Sequence, residues 1–294
     1  MTDQVLSKRT GVYSAITQTI VSAIEDGADE FVMPWHLAGP GFGRPTNAVT
    51  GKPYQGVNVV ALWAQGQRQR FESTVWATYR QWTALGAQVR KGSRGAVIVF
   101  YKRREAGADD DDERRAGLIA RTSVVFNDAQ VEGGKLSAPQ TLDAVTRIAA
   151  VDEVVHGTGA DIRHGGANAC YEPASDCIRV PPTESFVGSP TSSPTEAYYS
   201  TLLHELIHWT GASHRLKRQF GACFGDHAYA FEELVAELGA AFLCADLQIT
   251  NHPRPDHAAY ISGWLSVLKS DARAVFTAAR LAGEAAAYVQ DPAS

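Results

Sequence analysis

Apolar residues Val12, Ala15, Ile16, Ile20, Val21 and Ile24 recur at spacings of three and four, the stripe of an amphipathic helix. Punctuation follows: Pro34, Gly39-Pro40-Gly41 and Gly43, then Thr50-Gly51-Lys52-Pro53 ahead of a second helix predicted over 58–67. Residues 76–85 read as a third, short helix ended by Gly86. Two β-branched runs, 96–101 and 122–126, predict the strands of one hairpin, with the acidic stretch Asp109 to Asp112 as its solvated tip. A new helical pattern covers 142–156. Residues 169–171 and 176–180 flank Glu172-Pro173-Ala174-Ser175, a second hairpin signal, and 181–195 has the Pro, Ser and Thr content of a loop. Everything beyond it is helical in period.

These patterns give an α+β chain in two parts, an N-terminal α+β module and a mostly helical C-terminal module with a small sheet. At 294 residues the chain is long enough for two domains, and Ser137-Ala138-Pro139 between the modules predicts domains over 1–135 and 141–294. Hydrophobic residues at 45% and charged residues at 20% exclude a disordered or fibrous chain. No apolar run approaches the roughly 18 residues of a membrane helix, and the first residues lack the apolar block of a secretory signal. A cytoplasmic protein with no membrane partner is therefore expected. Cys170, Cys177, Cys223 and Cys244 include no C-x-x-C pair and suit reduced thiols. Charge adds an asymmetry: residues 44–104 carry eleven Lys and Arg against Glu72 alone, whereas 136–294 hold 10 basic and 18 acidic residues. A basic module ahead of an acidic one points to a polyanionic partner for the first.

The densest chemical signal is His204-Glu205-Leu206-Ile207-His208. By chance, a chain of this composition would contain H-E-x-x-H about 0.014 times. Ser193-Pro194-Thr195-Glu196 has the spacing of a capping box with Pro at the first helical position, and Gly211 stands where the helix would end. On such a helix the two imidazoles share one face and reach one zinc ion at the roughly 2.0–2.1 Å of a Zn–N bond. Glu205, one residue round, stands beside the ion as the catalytic general base, taking a proton from a water whose pKa the metal lowers.

A catalytic zinc, one per chain, needs a third protein ligand. His214 completes H-E-x-x-H-x-x-G-x-x-H, the spacing of the metzincins, but those peptidases carry a Met-turn downstream and the only methionines here are Met1 and Met33. Glu233, within the amphipathic pattern 231–243, is the preferred ligand and His214 the alternative. Glu232 is a weaker candidate because it projects one residue round. Glu237, one turn beyond Glu233, is placed to accept the N–H of a ligating histidine, an arrangement that resembles the gluzincins. Tyr229, four residues before Glu233, and His227 are candidates to stabilise an oxyanion.

In 44–104 the cations alternate with Tyr54, Trp63, Trp76, Tyr79, Trp82, Phe100 and Tyr101. That mixture suits single-stranded nucleic acid, because aromatic faces stack on unpaired bases while Lys and Arg follow the phosphates. Arg90-Lys91-Gly92-Ser93-Arg94-Gly95 combines cations with glycines that let backbone N–H groups approach an anion. The candidate contacts are Lys52, Tyr54, Trp76, Tyr79, Arg80, Trp82, Arg90, Lys91, Arg94 and Lys102. For Trp63, Trp76 and Trp82 the competing role is core packing.

The stretches Thr50 to Asn58, Trp76 to Gly92 and Val125-Phe126-Asn127 resemble the N-terminal domain of ArdC-type antirestriction proteins. His204 to Gly211, Arg215-Leu216 and Glu232 to Cys244 resemble the zincin-like metallopeptidase domain of the same family. The resemblance implies a protein of conjugative plasmids or related mobile elements that binds single-stranded DNA through its first domain and protects entering DNA from host restriction. The expected partners are single-stranded DNA and an unidentified protein substrate, with a component of host restriction as a candidate. Two other readings stay open at this point: a DNA-occluding protein with a structural or vestigial zinc site, and a cytoplasmic metalloprotease with an unrelated docking domain. The acidic insert Asp109 to Asp112 departs from the family pattern and would repel a strand passing nearby.

Overall fold

The computed structural model describes residues 2–28, 33–36, 43–103, 118–133, 143–189, 192–219, 227–250 and 257–292. The first helix, α1 (Thr2–Gly27), runs beyond the predicted segment at both ends and buries Ile16, Ile20, Val21 and Ile24. Its Thr17 hydroxyl donates to the Ala272 carbonyl at 2.7 Å, and Glu25 pairs with Lys269 at 2.7 Å. Helix α2 (Val57–Gln69) is clamped to the neighbouring sheet by Asn58, whose amide donates to the Val99 carbonyl at 2.7 Å and accepts from the Val99 N–H at 2.8 Å.

That sheet has four strands, β1 (Thr46–Asn47), β2 (Val75–Thr78), β4 (Ala96–Arg103) and β5 (Leu118–Asn127), in the order β1-β2-β5-β4. β1 and β2 are parallel, and the other pairs are antiparallel. β4 and β5 form the predicted hairpin, with Ala96 opposite Val125, while its acidic tip lies outside the described residues. A second, two-stranded sheet joins β3 (Ala87–Val89) to β6 (Val131–Gly133). Residues 76–85 do not form one helix. Trp76 and Ala77 pair with Asn127 and Phe126 in β2, and α3 (Tyr79–Ala84) starts only afterwards. The cause is a capping box: the Thr78 hydroxyl accepts from the Gln81 N–H at 3.2 Å and the Gln81 side chain accepts from the Thr78 N–H at 2.9 Å.

In the second half, α4 (Ala144–Gly157) begins at Asp143, whose carboxylate accepts from the Thr146 N–H at 3.1 Å. A three-stranded sheet follows, β7 (Asp161–His164), β8 (Cys170–Glu172) and β9 (Cys177–Val180), in the order β7-β9-β8. β8 and β9 are the predicted hairpin. The parallel β7 is not predicted, because Asp161-Ile162-Arg163-His164 offers one apolar residue in four.

Four helices follow among the described residues: α5 (Pro194–Thr210), α6 (His227–Asp246), α7 (His257–Ser270) and α8 (Ala274–Gln290). α6 is the central one. Residues 232–245 are all buried, as expected of a helix surrounded by others, and the alanine stripe of α8 (Ala278, Ala282, Ala285) permits close packing against it. Against α5 the approach is close at one point: a Cβ on Gly239 would stand 2.8 Å from Ile207 Cδ1.

A single buried cluster runs from Ile16, Trp35 and Val59 to Leu206, Phe242 and Ala282, so the two halves share a core. Arg44 ties them further. Its Nε meets Asp246 Oδ1 at 2.8 Å, its Nη2 donates to Oδ2 at 2.9 Å, and the guanidinium lies 4.7 Å over the Phe242 ring. The expected boundary near 136–141 lies outside the described residues. Among the described residues no helix is long and apolar enough to cross a membrane.

Candidate metal centre

The helix carrying H-E-x-x-H starts and ends as its sequence dictates. Ser193 Oγ accepts from the Glu196 N–H at 3.2 Å, Glu196 returns a bond to the Ser193 N–H at 3.0 Å, Pro194 is the first residue of α5, and Gly211 caps its end. Leu202, Leu203, Leu206 and Ile207 are buried, which turns His204 and His208 towards α6. From α6 comes Glu233. The two Nε2 atoms are 3.2 Å apart, and Glu233 sets Oε2 3.6 Å from His204 Nε2 and Oε1 3.6 Å from His208 Nε2. Four donors placed tetrahedrally about 2.0–2.2 Å from one ion would stand about 3.3–3.6 Å from one another. His204, His208 and Glu233 thus form a group dimensioned for a metal ion.

The outer ring nitrogens support the same reading. His204 Nδ1 faces Glu237 Oε2 at 3.5 Å, and His208 Nδ1 faces Glu232 Oε1 at 3.3 Å. A carboxylate opposite Nδ1 holds the proton on that atom and leaves Nε2 as an acceptor. Two Nε2 atoms and one carboxylate converge within 3.6 Å in a buried space, a donor set that a cation would stabilise.

Glu232 was the weak ligand candidate, and it occupies the outer position on His208. Arg218 holds it there, donating from Nε at 3.1 Å and from Nη2 at 2.9 Å, while Nη1 donates to Thr210 Oγ1 at 2.7 Å. Burial alone would raise the Glu232 pKa, but the bonds to His208 and Arg218 outweigh it and keep the carboxyl below its usual range. The sequence contained a signal for this role, since three acids in an otherwise apolar helix each require a partner. Arg218 itself, inside a basic run that reads as exposed, is buried, with 3% of its side chain accessible.

Glu205 is buried beside the histidines, and its Oε2 accepts from the Tyr171 N–H of β8 at 2.9 Å. Because β8 is an outer strand of its sheet, this bond brings a sheet edge to the metal centre. Tyr229 sits next to Glu233 with its hydroxyl 3.2 Å from that of Tyr260. Burial, the Tyr260 hydroxyl and the Glu233 charge push its pKa above the usual phenol range, so it stays a neutral O–H group. His227 is exposed. The alternative ligand His214 is placed elsewhere: its side chain is 60% accessible and Nε2 faces Asp176 Oδ2 at 3.2 Å. Metzincin spacing does not bring it to the site because 211–218 folds back through bonds such as Arg218 N–H to the Gly211 carbonyl at 2.9 Å.

The basic module separates its aromatics. Trp76 and Trp82 are 1% and 0% exposed, and Trp63 is buried too, so none offers a face for stacking and the contacts expected of Trp76 and Trp82 are corrected to core packing. Their indoles satisfy the interior: Trp82 Nε1 donates to the Phe126 carbonyl at 2.9 Å, and Trp76 packs edge-on against Phe71. Tyr54 is half-buried, its hydroxyl accepting from Asn47 Nδ2 at 3.2 Å. Tyr79 is 50% exposed and borders a groove of about 760 Å³ with Arg90, Lys91, Gly92, Phe126 and Glu132. Arg90 braces that groove through bonds to the Val131 and Ala129 carbonyls. Lys52, Arg80, Lys91 and Arg94 are exposed, whereas the Lys102 side chain lies outside the described residues. Phe100 and Tyr101, in β4, are exposed as well.

Residues 10–128 match the N-terminal domain of anti-restriction factor ArdC, and residues 149–281 match a zincin-like metallopeptidase family. The y4eC protein of Sinorhizobium fredii is 42% identical over 98% of this chain and 94% of its own length. A DNA primase TraC of Escherichia coli is 32% identical over 98% of this chain, which spans only 20% of that larger protein. Crystal structures of antirestriction protein ArdC from plasmid R388 superpose with a TM-score of 0.75 at 34% identity. The metal-free form covers 95% of this chain and 96% of that one, and the Mn(II)-bound form covers 96% and 98%.

Proposed function

This chain belongs to the ArdC family of antirestriction proteins, and from that membership we propose that it guards entering DNA against host restriction in the cytoplasm of a cell receiving a mobile element. Residues 1–135 bind single-stranded DNA, and 141–294 act as a zinc metallopeptidase. The observation that carries the enzymatic half is the convergence of His204 Nε2, His208 Nε2 and the Glu233 carboxylate at 3.2 to 3.6 Å, with an outer carboxylate behind each histidine.

Two imidazoles and one carboxylate suit zinc better than manganese, which favours oxygen donors. When bound, zinc polarises a scissile carbonyl and lowers the pKa of a water towards about 7. Glu205, its orientation fixed by the Tyr171 N–H, would be the base that takes up a proton in that reaction and returns it to the departing amine. The neutral Tyr229 hydroxyl beside Glu233 is placed to donate to the developing oxyanion.

For DNA, the exposed cations Lys52, Arg80, Lys91 and Arg94 track phosphates and the exposed rings of Tyr79, Phe100 and Tyr101 replace the buried tryptophans as stacking surfaces.

The test has two arms. The chain should hold about one zinc, lost on His204→Ala or His208→Ala, and Glu205→Gln should keep the zinc and abolish peptide hydrolysis. Equal antirestriction by wild type and Glu205→Gln would favour DNA occlusion over proteolysis. In the second arm, single strands should bind better than duplex, with a log–log salt slope of roughly −0.7 per phosphate contact.

A further inference from the structure

The Glu237 carboxylate has two ends. Oε2 faces His204 Nδ1 at 3.5 Å, and Oε1 accepts from Trp35 Nε1 at 3.1 Å and lies 2.9 Å from His36 Nε2. Trp35 and His36 precede Glu237 by some two hundred residues and lie in the stretch that matches the ArdC N-terminal domain. We propose that Trp35 and His36 are positioning residues of the metal centre: they hold Glu237 so that it orients the His204 imidazole, and the N-terminal module thereby completes the centre of the other. This rests on the metal reading above and adds to it a dependence on the first module.

The geometry of the turn makes the pair a rigid donor. The His36 N–H donates to the Met33 carbonyl at 2.9 Å, and the Met33 N–H donates back to His36 Nδ1 at 3.0 Å. Accepting at Nδ1 places the ring proton on Nε2, so His36 donates to Glu237 in its neutral form. Trp35 is 1% exposed, and the His36 and Glu237 side chains are 2% and 3% exposed, so water does not compete for Oε1. Trp35 is itself held against Trp264, with ring centroids 5.9 Å apart, and Trp264 stacks on Tyr260, whose hydroxyl meets that of Tyr229. Two donors on one oxygen fix the plane of the carboxylate and so set where the other oxygen stands, 3.5 Å from His204 Nδ1. Without them Glu237 gains rotational freedom and His204 loses its alignment towards Glu233 and His208.

The experiment measures zinc affinity of the full chain by competition with a chromogenic chelator, beside the melting temperature of the metal-free protein. Loss of a direct outer partner lowers metal affinity about 10- to 100-fold. Acting one group further out, Trp35→Phe and His36→Ala should each lower it about three- to tenfold, and the double variant about tenfold or more. His36→Gln, which keeps a donor in the place of Nε2, should restore most of the affinity. Arg44→Ala loosens the same module junction without touching Glu237 and should leave zinc affinity within twofold of wild type. A folded Trp35→Phe/His36→Ala chain that binds zinc within twofold of wild type would overturn the proposal, and so would an equal loss in Arg44→Ala, which would reduce the effect to docking. A wild-type chain that takes up no zinc would instead overturn the metal reading on which the proposal rests.

Discussion

Replacing Gly239 by alanine tests how far the metal centre depends on the distance between α5 and α6. The new Cβ would lie 2.8, 2.9 and 3.0 Å from Cδ1, Cγ1 and Cγ2 of Ile207. Relieving all three contacts requires about half an ångström of separation, and no single rotation serves, because the β-branched Ile207 is fully buried and meets the methyl group on every branch. Ile207 lies between His204 and His208, and Glu233 is six residues from Gly239 on the facing helix, so the displacement acts directly on the 3.6 Å gaps. Overpacking of this kind costs about 1–3 kcal/mol, against a helix-propensity gain of about 1 kcal/mol. The net effect on the metal-free fold is a loss of about 0–2 kcal/mol, a fall of several degrees at most in melting temperature for a chain of this size. Zinc affinity should suffer more, by about tenfold, which corresponds to about 1.4 kcal/mol. Gly283, in α8, has nothing within 4 Å of its Cβ position, and Gly283→Ala should stabilise by about 0.5–1 kcal/mol without touching zinc. Adding Ile207→Ala to Gly239→Ala removes the three offending atoms and should recover zinc affinity even as the fold weakens. Chelator competition and calorimetry on these four chains decide the matter. If Gly239→Ala binds zinc like wild type and gains stability like Gly283→Ala, the argument from helix spacing is wrong.

Arg218→Ala should cost about 3–5 kcal/mol in urea unfolding and weaken zinc binding, because it strands the buried Glu232 charge behind His208. Trp76→Ala should lower stability by about 3–5 kcal/mol, whereas Tyr79→Ala with Lys91→Glu should weaken binding of single strands, read by fluorescence anisotropy, and leave the melting temperature within a degree or two. The bonds from Arg215 hold the Asp176 carboxyl down to about 2. A lowered folded-state value means stability that is present above the ordinary 3.8 and is lost as pH falls towards about 2. Asp176→Asn should therefore flatten stability against pH in that window, and by a modest amount because the carboxylate is 40% accessible and screened.

What the sequence makes legible in this chain is whatever a single helix decides. The capping box at Ser193, Pro194 at the first position and the i, i+4 histidines are all local, so α5 and the direction of its two imidazoles follow without knowledge of any partner. The same logic separates Glu233 and Glu237, which share a face one turn apart, from Glu232, one residue round. It stops there, because a helix face says nothing about what will stand opposite it. Arg218 reaches Glu232 by folding a basic loop back under the end of α5, and Trp35 with His36 reaches Glu237 across some two hundred residues; neither contact has a period to read. The tryptophans of the basic module failed for a related reason. Alternation of aromatics and cations is equally the signature of a stacking surface and of a sheet with one buried face, and only the clamp of Asn58 on Val99 and the pairing of Trp76 with Asn127 decide which rings turn inward. Three carboxylates within an apolar helix cannot remain buried and ionised without compensation, so 231–243 already demanded a cation and at least two donors from elsewhere in the chain. The sequence states that requirement, and tertiary packing supplies the donors that meet it.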